Sequence, residues 1–194
     1  MSSASTKDEP PQLERYRFSL DEYHELVASG FFKREDRIEL IEGELIMMPP
    51  PSPEHSASST SLRRRIERAL PDSLLLREAQ PVTIPPRSEP EPDLCVVKMR
   101  PDFYKSAHPG PKDVLLLIEV AKTSAPFDKG TKARVYGAAG IAEYWVIEIV
   151  ERVVQVFTEP TKNGYRTQRT YQPDETVRCG TIRKLALKVA DMLL

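Results

Sequence analysis

Cysteine is scarce in this chain: Cys95 lies in an apolar run and Cys179 beside a glycine, and there is no other. Without a C-x-x-C pair these two exclude a disulfide framework and a cysteine zinc site, and lone thiols suit a reducing cytoplasm. Histidine is sparse as well. His24, His55 and His108 stand far apart, so no H-x-x-x-H metal helix exists. No stretch reaches the roughly 18–20 apolar residues of a membrane span. The opening Met-Ser-Ser-Ala-Ser-Thr-Lys-Asp-Glu-Pro-Pro lacks the apolar centre of a secretory leader. We expect residues 1–13 to form a disordered tail and 14–194 a single domain with no membrane association. An excess of charge is also missing: 28 Lys and Arg face 29 Asp and Glu, a formal net charge of -1. That excludes a polybasic binder whose whole surface attracts phosphate, though not a local basic patch.

What the chain has in quantity is proline, 18 residues, many of them gathered at 49–53 and 81–92. Apolar runs flank both knots, which therefore punctuate loops inside a folded domain. Ser19-Leu20-Asp21-Glu22 reads as a capping box opening a helix to Ser29, with Gly30 as its stop. Arg37–Met48 carries two alternating runs around Glu42-Gly43 and reads as a hairpin. His55–Leu70 places Leu62, Ile66, Ala69 and Leu70 at helical spacing, with arginines at 63, 64, 65 and 68 between them. Strands are expected at Leu74–Arg77, Val82–Ile84, Leu94–Lys98 and Val114–Val120. A helix from Phe127 to about Gly137–Gly140 follows. Tyr144–Ile147 reads as a buried strand with Trp145 in the core. Val153–Thr158, Tyr165–Tyr171 and Val177 form a β-rich meander, and Leu185–Leu194 closes the chain as a strand or short helix. The order predicts an α/β fold, a mixed sheet with helices on its faces.

Two acids sit where a strand should not carry one. Asp93 opens the apolar run Leu94-Cys95-Val96-Val97, and Glu119 follows Val114-Leu115-Leu116-Leu117-Ile118. A carboxylate there needs a compensating partner, and a divalent cation is one that fits. Pro-Asp occurs four times, but only Pro92-Asp93 opens an apolar strand, where proline costs little. The bland reading of Asp93 is a strand-end acid capping a neighbouring N–H; that of Glu119 is a buried ion pair. Alternation directs Ile118 and Val120 to the face opposite Glu119. Oxygen ligands without His or Cys favour Mg²⁺ or Mn²⁺ over Zn²⁺. With Lys132 one turn into the following helix, acid, acid and lysine form a set suited to metal-assisted phosphodiester cleavage.

An ordered series of stretches carries a resemblance: Arg37-Ile-Glu-Leu-Ile-Glu-Gly-Glu-Leu-Ile-Met-Met-Pro, Pro53-Glu-His55, Pro92-Asp93-Leu and Leu117-Ile-Glu119-Val. It continues through Thr123-Ser124, Asp128 with Lys132 and Tyr136, and Gly140-Ile-Ala-Glu-Tyr-Trp-Val. Together they resemble the PD-(D/E)XK nuclease superfamily, in its bacterial Uma-type "putative restriction endonuclease" branch. The resemblance spans roughly Arg15 to the C-terminus. It implies a restriction-endonuclease-like fold, a Mg²⁺- or Mn²⁺-dependent endonuclease acting on DNA, and Asp93 and Glu119 as metal ligands.

The chain departs from the superfamily at one position. The lysine expected two residues after the glutamate is Ala121, and alternation aims Lys122 at the opposite face. The resembling branch moves this lysine to the next helix, which selects Lys132 to assist the attacking water. Its bland reading is an exposed i,i+4 pair with Asp128. Tyr136 on that face is core packing or a phosphate contact. Glu39 and Glu44 are candidate supporting acids, for a third ligand or for holding the others, against solvated hairpin charges. His55 is a contact to phosphate or metal-bound water, or a plain helix residue. Arg63, Arg64, Arg65 and Arg68 line a DNA-facing surface or a solvated helix face. Cutting both strands calls for two sites, so a homodimer is expected. Two other classes fit the same residues: a nucleic-acid-binding or regulatory relative without turnover, and a protein-interaction module with ion-paired acids.

Overall fold

Helix α1 (Leu20–Ala28) begins where the sequence sets a glutamate three residues after a serine. The Ser19 backbone N–H donates to Glu22 at 2.8 Å, and the Glu22 N–H donates back to the Ser19 hydroxyl, which satisfies two otherwise orphaned groups. The coordinates are a computed structural model that describes residues 14–33 and 35–193. The expected N-terminal tail, 1–13, lies outside the described residues.

Strands β1 (Ile38–Ile41) and β2 (Glu44–Met47) form the predicted hairpin, joined by Glu42 and Gly43 at φ 51° and 81°. Positive φ at both central residues matches the twist of the flanking strands. Glycine is required at the second position, because a β-carbon on Gly43 would lie 2.8 Å from Arg17 Cβ.

Helix α2 (Pro53–Ala69) starts two residues earlier than the apolar spacing suggested, since Ser52 caps it and Pro53 suits its first turn. The six-stranded sheet then assembles in the order β3-β4-β5-β6-β7-β8. Its members are β3 (Leu74–Glu78), β4 (Leu94–Lys98), β5 (Val114–Ala121), β6 (Glu143–Glu148), β7 (Val153–Thr161) and β8 (Gly164–Tyr171). All neighbours run antiparallel except β5 and β6. That parallel pair requires a crossover, supplied by α3 (Ala125–Phe127), a π-helical turn (Asp128–Lys132) and α4 (Ala133–Ala138).

Two departures from the sequence reading matter. The crossover helix starts at Ala125 rather than Phe127 and is widened at Asp128–Lys132, where the Ala133 N–H reaches back five residues to Asp128. Val82–Ile84 is buried but pairs in no ladder. Its amides bond singly to the carbonyls of Pro90, Pro109 and Ser88, because prolines on either side remove the donors a strand needs. At the C-terminus both expected forms occur in succession: β9 (Thr176–Arg178) pairs with β10 (Ala186–Lys188), then α5 (Val189–Met192) follows.

Each sheet face has its own core. Ile118, Val120, Trp145 and Ile147 pack against Leu62 and Ile66 of α2 and Val189 and Met192 of α5. Leu117, Ala121, Tyr144 and Val146 pack against Ala133, Val135 and Tyr136 of α4 and Ile41 of the hairpin. Among the described residues no helix is long and apolar enough to cross a membrane.

Candidate active site

Alternation along β5 puts Glu119 on the same face as Leu117 and Ala121, toward the crossover, with Ile118 and Val120 opposite. Strand β4 pairs Leu94 with Ile118, so the same register sets Asp93 across from Glu119. The two acids interlock through the backbone. Asp93 Oδ2 accepts the Val120 N–H at 2.8 Å, and the Asp93 N–H donates to Glu119 Oε2 at 3.3 Å. Asp93 therefore does cap a neighbouring strand amide, as its bland reading had it, while facing Glu119.

The widened turn delivers Lys132 to the same point. Its side chain is 1 % exposed, with Nζ 2.9 Å from Glu119 Oε1. Nζ also lies 3.0 Å from Glu39 Oε2 and bonds Oε1 at 3.2 Å, so the first contact is ionic and Oε2 lacks an aligned hydrogen bond. Tyr136, fully buried, donates its hydroxyl to Glu119 Oε1 at 3.0 Å. Tyr136 is thus core packing, with its hydroxyl engaged by Glu119. The Asp128–Lys132 pair is not an exposed helical pair: Asp128 is 2 % exposed. π-Turns recur at functional sites because the widened backbone re-aims side chains.

A cleft of about 270 Å³ opens onto this cluster, lined by Glu39, Asp93, Glu119, Asp128 and Lys132. His55 stands at its edge with Nε2 3.1 Å from Asp93 Oδ2. That bond raises the imidazole pKa, against a smaller opposing effect of burial. Four further residues of the lining, Arg37, Glu91, Lys122 and Asp128, carry charge that sequence reasoning had not assigned to the site. Burial lifts Asp128 to about 6 despite the nearby ammonium. Burial and then Glu39 lift Glu91. Burial also pushes Glu119 up, opposed by Lys132, while the surrounding carboxylates outweigh burial at Lys132 and hold it protonated.

Residues 20–190 match the protein family described as "Putative restriction endonuclease", Uma2. The chain belongs to this family. The crystal structure of "a putative nuclease belonging to DUF820 from Anabaena variabilis" superposes with a TM-score of 0.69 at 19 % identity, covering 90 % of this chain and 97 % of that one. At that identity the likeness shows the fold: a restriction-endonuclease-like mixed sheet flanked by helices. No curated protein matches the chain.

In this Uma2-family chain position 121 is an alanine, and the ammonium that meets Glu119 comes from Lys132 in the crossover. Lys122 lines the cleft as well but meets none of the clustered acids: its Nζ lies 2.6 Å from Glu54, both half exposed. Glu39 joins the cluster, but Glu44 does not. Its carboxylate is 43 % exposed and pairs with Arg17 at 3.0 Å, because the hairpin turn puts the two glutamates on different surroundings. The α2 arginines are also apart from the acids. Arg63 is tied to Glu67 at 2.9 Å and Glu78 at 3.4 Å, whereas Arg64, Arg65 and Arg68 are exposed. Asp128 had a signal, its spacing of four from Lys132; Arg37 opened a quoted stretch and Glu91 preceded one, with no further signal.

Proposed function

We propose that this chain is a Mg²⁺- or Mn²⁺-dependent endonuclease that hydrolyses DNA phosphodiester bonds. The observation that carries the reading is the meeting of Asp93, Glu119 and Lys132, from two strands and a crossover turn, at one cleft. Among the described residues no group of three or more His, Cys, Asp or Glu side chains has the arrangement of a protein cage for a metal. Mg²⁺ does not need one, since it is commonly held by one or two carboxylates and otherwise by water and substrate phosphate. The donor set fits that mode: Lys132 and Tyr136 both engage Glu119 Oε1, which leaves Oε2 with a single long bond from Asp93 N–H. Asp93 and Glu119 would hold the ion. Bound there, it would polarise the scissile phosphate and lower the pKa of a water.

The chain's own groups do the rest. Lys132, kept protonated by its acids, acts as a donor: it orients the attacking water and meets charge on the phosphoryl oxygens. Glu39 and Tyr136 hold the ammonium and Glu119 in place. His55 sets the orientation of Asp93. Among the described residues one such cleft forms per chain, so a double-strand cut takes a homodimer or two successive nicks.

Plasmid nicking with Mg²⁺ or Mn²⁺ tests the reading. Asp93→Asn, Glu119→Gln and Lys132→Met should each abolish cleavage, and Tyr136→Phe should lower it. Activity surviving the first three, or an inert wild type on every DNA tried, would sink it. A second reading draws on the Glu39–Lys132–Glu119 contacts, which could serve as an ion-paired core without turnover. Calorimetric titration with Mn²⁺ separates the two: heat lost in Asp93→Asn supports the enzyme, and no heat from wild type supports the core.

A further inference from the structure

Helix α2 leaves the cleft at His55 and buries Ser58, Ser59, Leu62 and Ile66 against the sheet. Its outer face carries Arg64, Arg65 and Arg68, all exposed, which line a surface depression of about 650 Å³ with Ser56 and Thr60. Among the described residues none of the three arginines pairs with an acid, in contrast to Arg63. Arg64 and Arg68 are four apart, so they repel on one helix face, an arrangement that costs the helix stability. A third depression, about 190 Å³, joins the other two: it shares Arg37, His55 and Asp93 with the cleft, and Ser56 and Thr60 with the arginine face. Glu78 also lines it, already engaged by Arg63. Arg37 stands at the junction, donating to the Pro49 carbonyl at 3.2 Å and to no acid among the described residues.

We propose that this continuous trough carries the backbone of duplex DNA away from the cleft, with Arg37 on a phosphate near the scissile one and Arg64, Arg65 and Arg68 on phosphates farther along. A helix rises about 1.5 Å per residue, which sets Arg64 about 13 Å and Arg68 about 20 Å beyond His55. At about 3.4 Å of rise per nucleotide along the duplex axis, an α2 lying parallel to that axis meets phosphates roughly four to six nucleotides from the cleft. Their fork of donors suits phosphate oxygens. The choice of DNA as the polymer rests on the nuclease reading; the trough and its unpaired charges do not.

Binding without cleavage tests it, by fluorescence anisotropy of a short labelled duplex in EDTA over a range of salt. Each lost phosphate contact lowers the slope of log K against log salt by about 0.9. The triple variant Arg64→Ala/Arg65→Ala/Arg68→Ala should therefore flatten the slope by roughly two to three, and Arg37→Ala by about one. Arg63→Ala, whose guanidinium is already paired, should leave it unchanged. A triple variant with the wild-type slope, an Arg63→Ala effect as large as the triple, or a wild type that ignores duplex at low salt overturns the trough. Circular dichroism checks that the surface variants fold. Cleavage that fails while these slope differences persist removes the nuclease reading and leaves the trough standing; intact cleavage with unchanged slopes does the reverse.

Discussion

Replacing Lys132 by methionine removes one positive charge from the middle of three carboxylates and changes little else. The side chains of Glu39 and Glu119 are 3 % and 6 % exposed, and Asp128 is 2 % exposed as a residue, so water screens them little. Methionine keeps most of the stem's packing, and the loss is chiefly that of a counter-charge. Breaking a buried pair by deleting one partner costs about 3–5 kcal/mol. Unfolding entropy near 2.1 cal/mol/K per residue, over about 180 ordered residues, gives about 0.4 kcal/mol per degree, so Tm should fall by roughly 10 °C. A double-mutant cycle makes the cause explicit. With Glu39→Gln added, one stranded acid is gone, so Lys132→Met/Glu39→Gln should be more stable than the sum of the single losses by about 1–3 kcal/mol. Differential scanning calorimetry in EDTA reads both. A Lys132→Met Tm within about 2 °C of wild type, or strictly additive losses, would show that Lys132 does not neutralise these acids.

Gly137 of α4 lies against Gly164 at the β7–β8 turn, and a β-carbon there would overlap the Gly164 backbone; Gly137→Ala should cost several kcal/mol on the order of overpacking. Gly130 has open space around it, so Gly130→Ala should stay close to wild type in the same denaturation experiment, and equal losses would contradict the packing. Ser19→Ala removes the α1 cap and should cost about 1 kcal/mol in urea unfolding, with no loss arguing that α1 contributes nothing to the cooperative fold. Burial raises the thiol pKa of Cys95 and lifts Cys179 to about 11, so neither should react with iodoacetamide in the native protein at pH 8. Mass spectrometry should find both alkylated only after denaturation; fast native labelling would place a thiol at the surface.

The parts of the site legible in the sequence were those whose strangeness is local. Asp93 and Glu119 stood out because an acid beside four or five apolar residues on a strand is energetically odd in any fold. Parity set Lys122 aside as a partner for Glu119; its ammonium lies on Glu54 instead, although the residue still lines the cleft. Lys132 needed the resemblance, because helical spacing cannot say which side of a crossover faces a sheet. The hairpin glutamates show where local pattern stops. Glu39 and Glu44 looked equivalent, yet one is buried on Lys132 and the other lies half exposed on Arg17. Val82–Ile84 had a strand's composition, but the prolines around it leave single bonds in place of a ladder.

By itself the amino-acid sequence determined most elements, their order and the face Glu119 takes, since alternation, capping and proline placement act over a few residues. Tertiary structure decided what those faces meet. The β4–β5 register brought Asp93 opposite Glu119, and the parallel β5–β6 pair imposed a crossover over that face. The π-turn within it aimed Lys132 inward, and the hairpin folded Glu39 onto the same ammonium. Which acid lies next to which cation depends on contacts across 13 to 93 residues of chain, and long-range packing settles those distances.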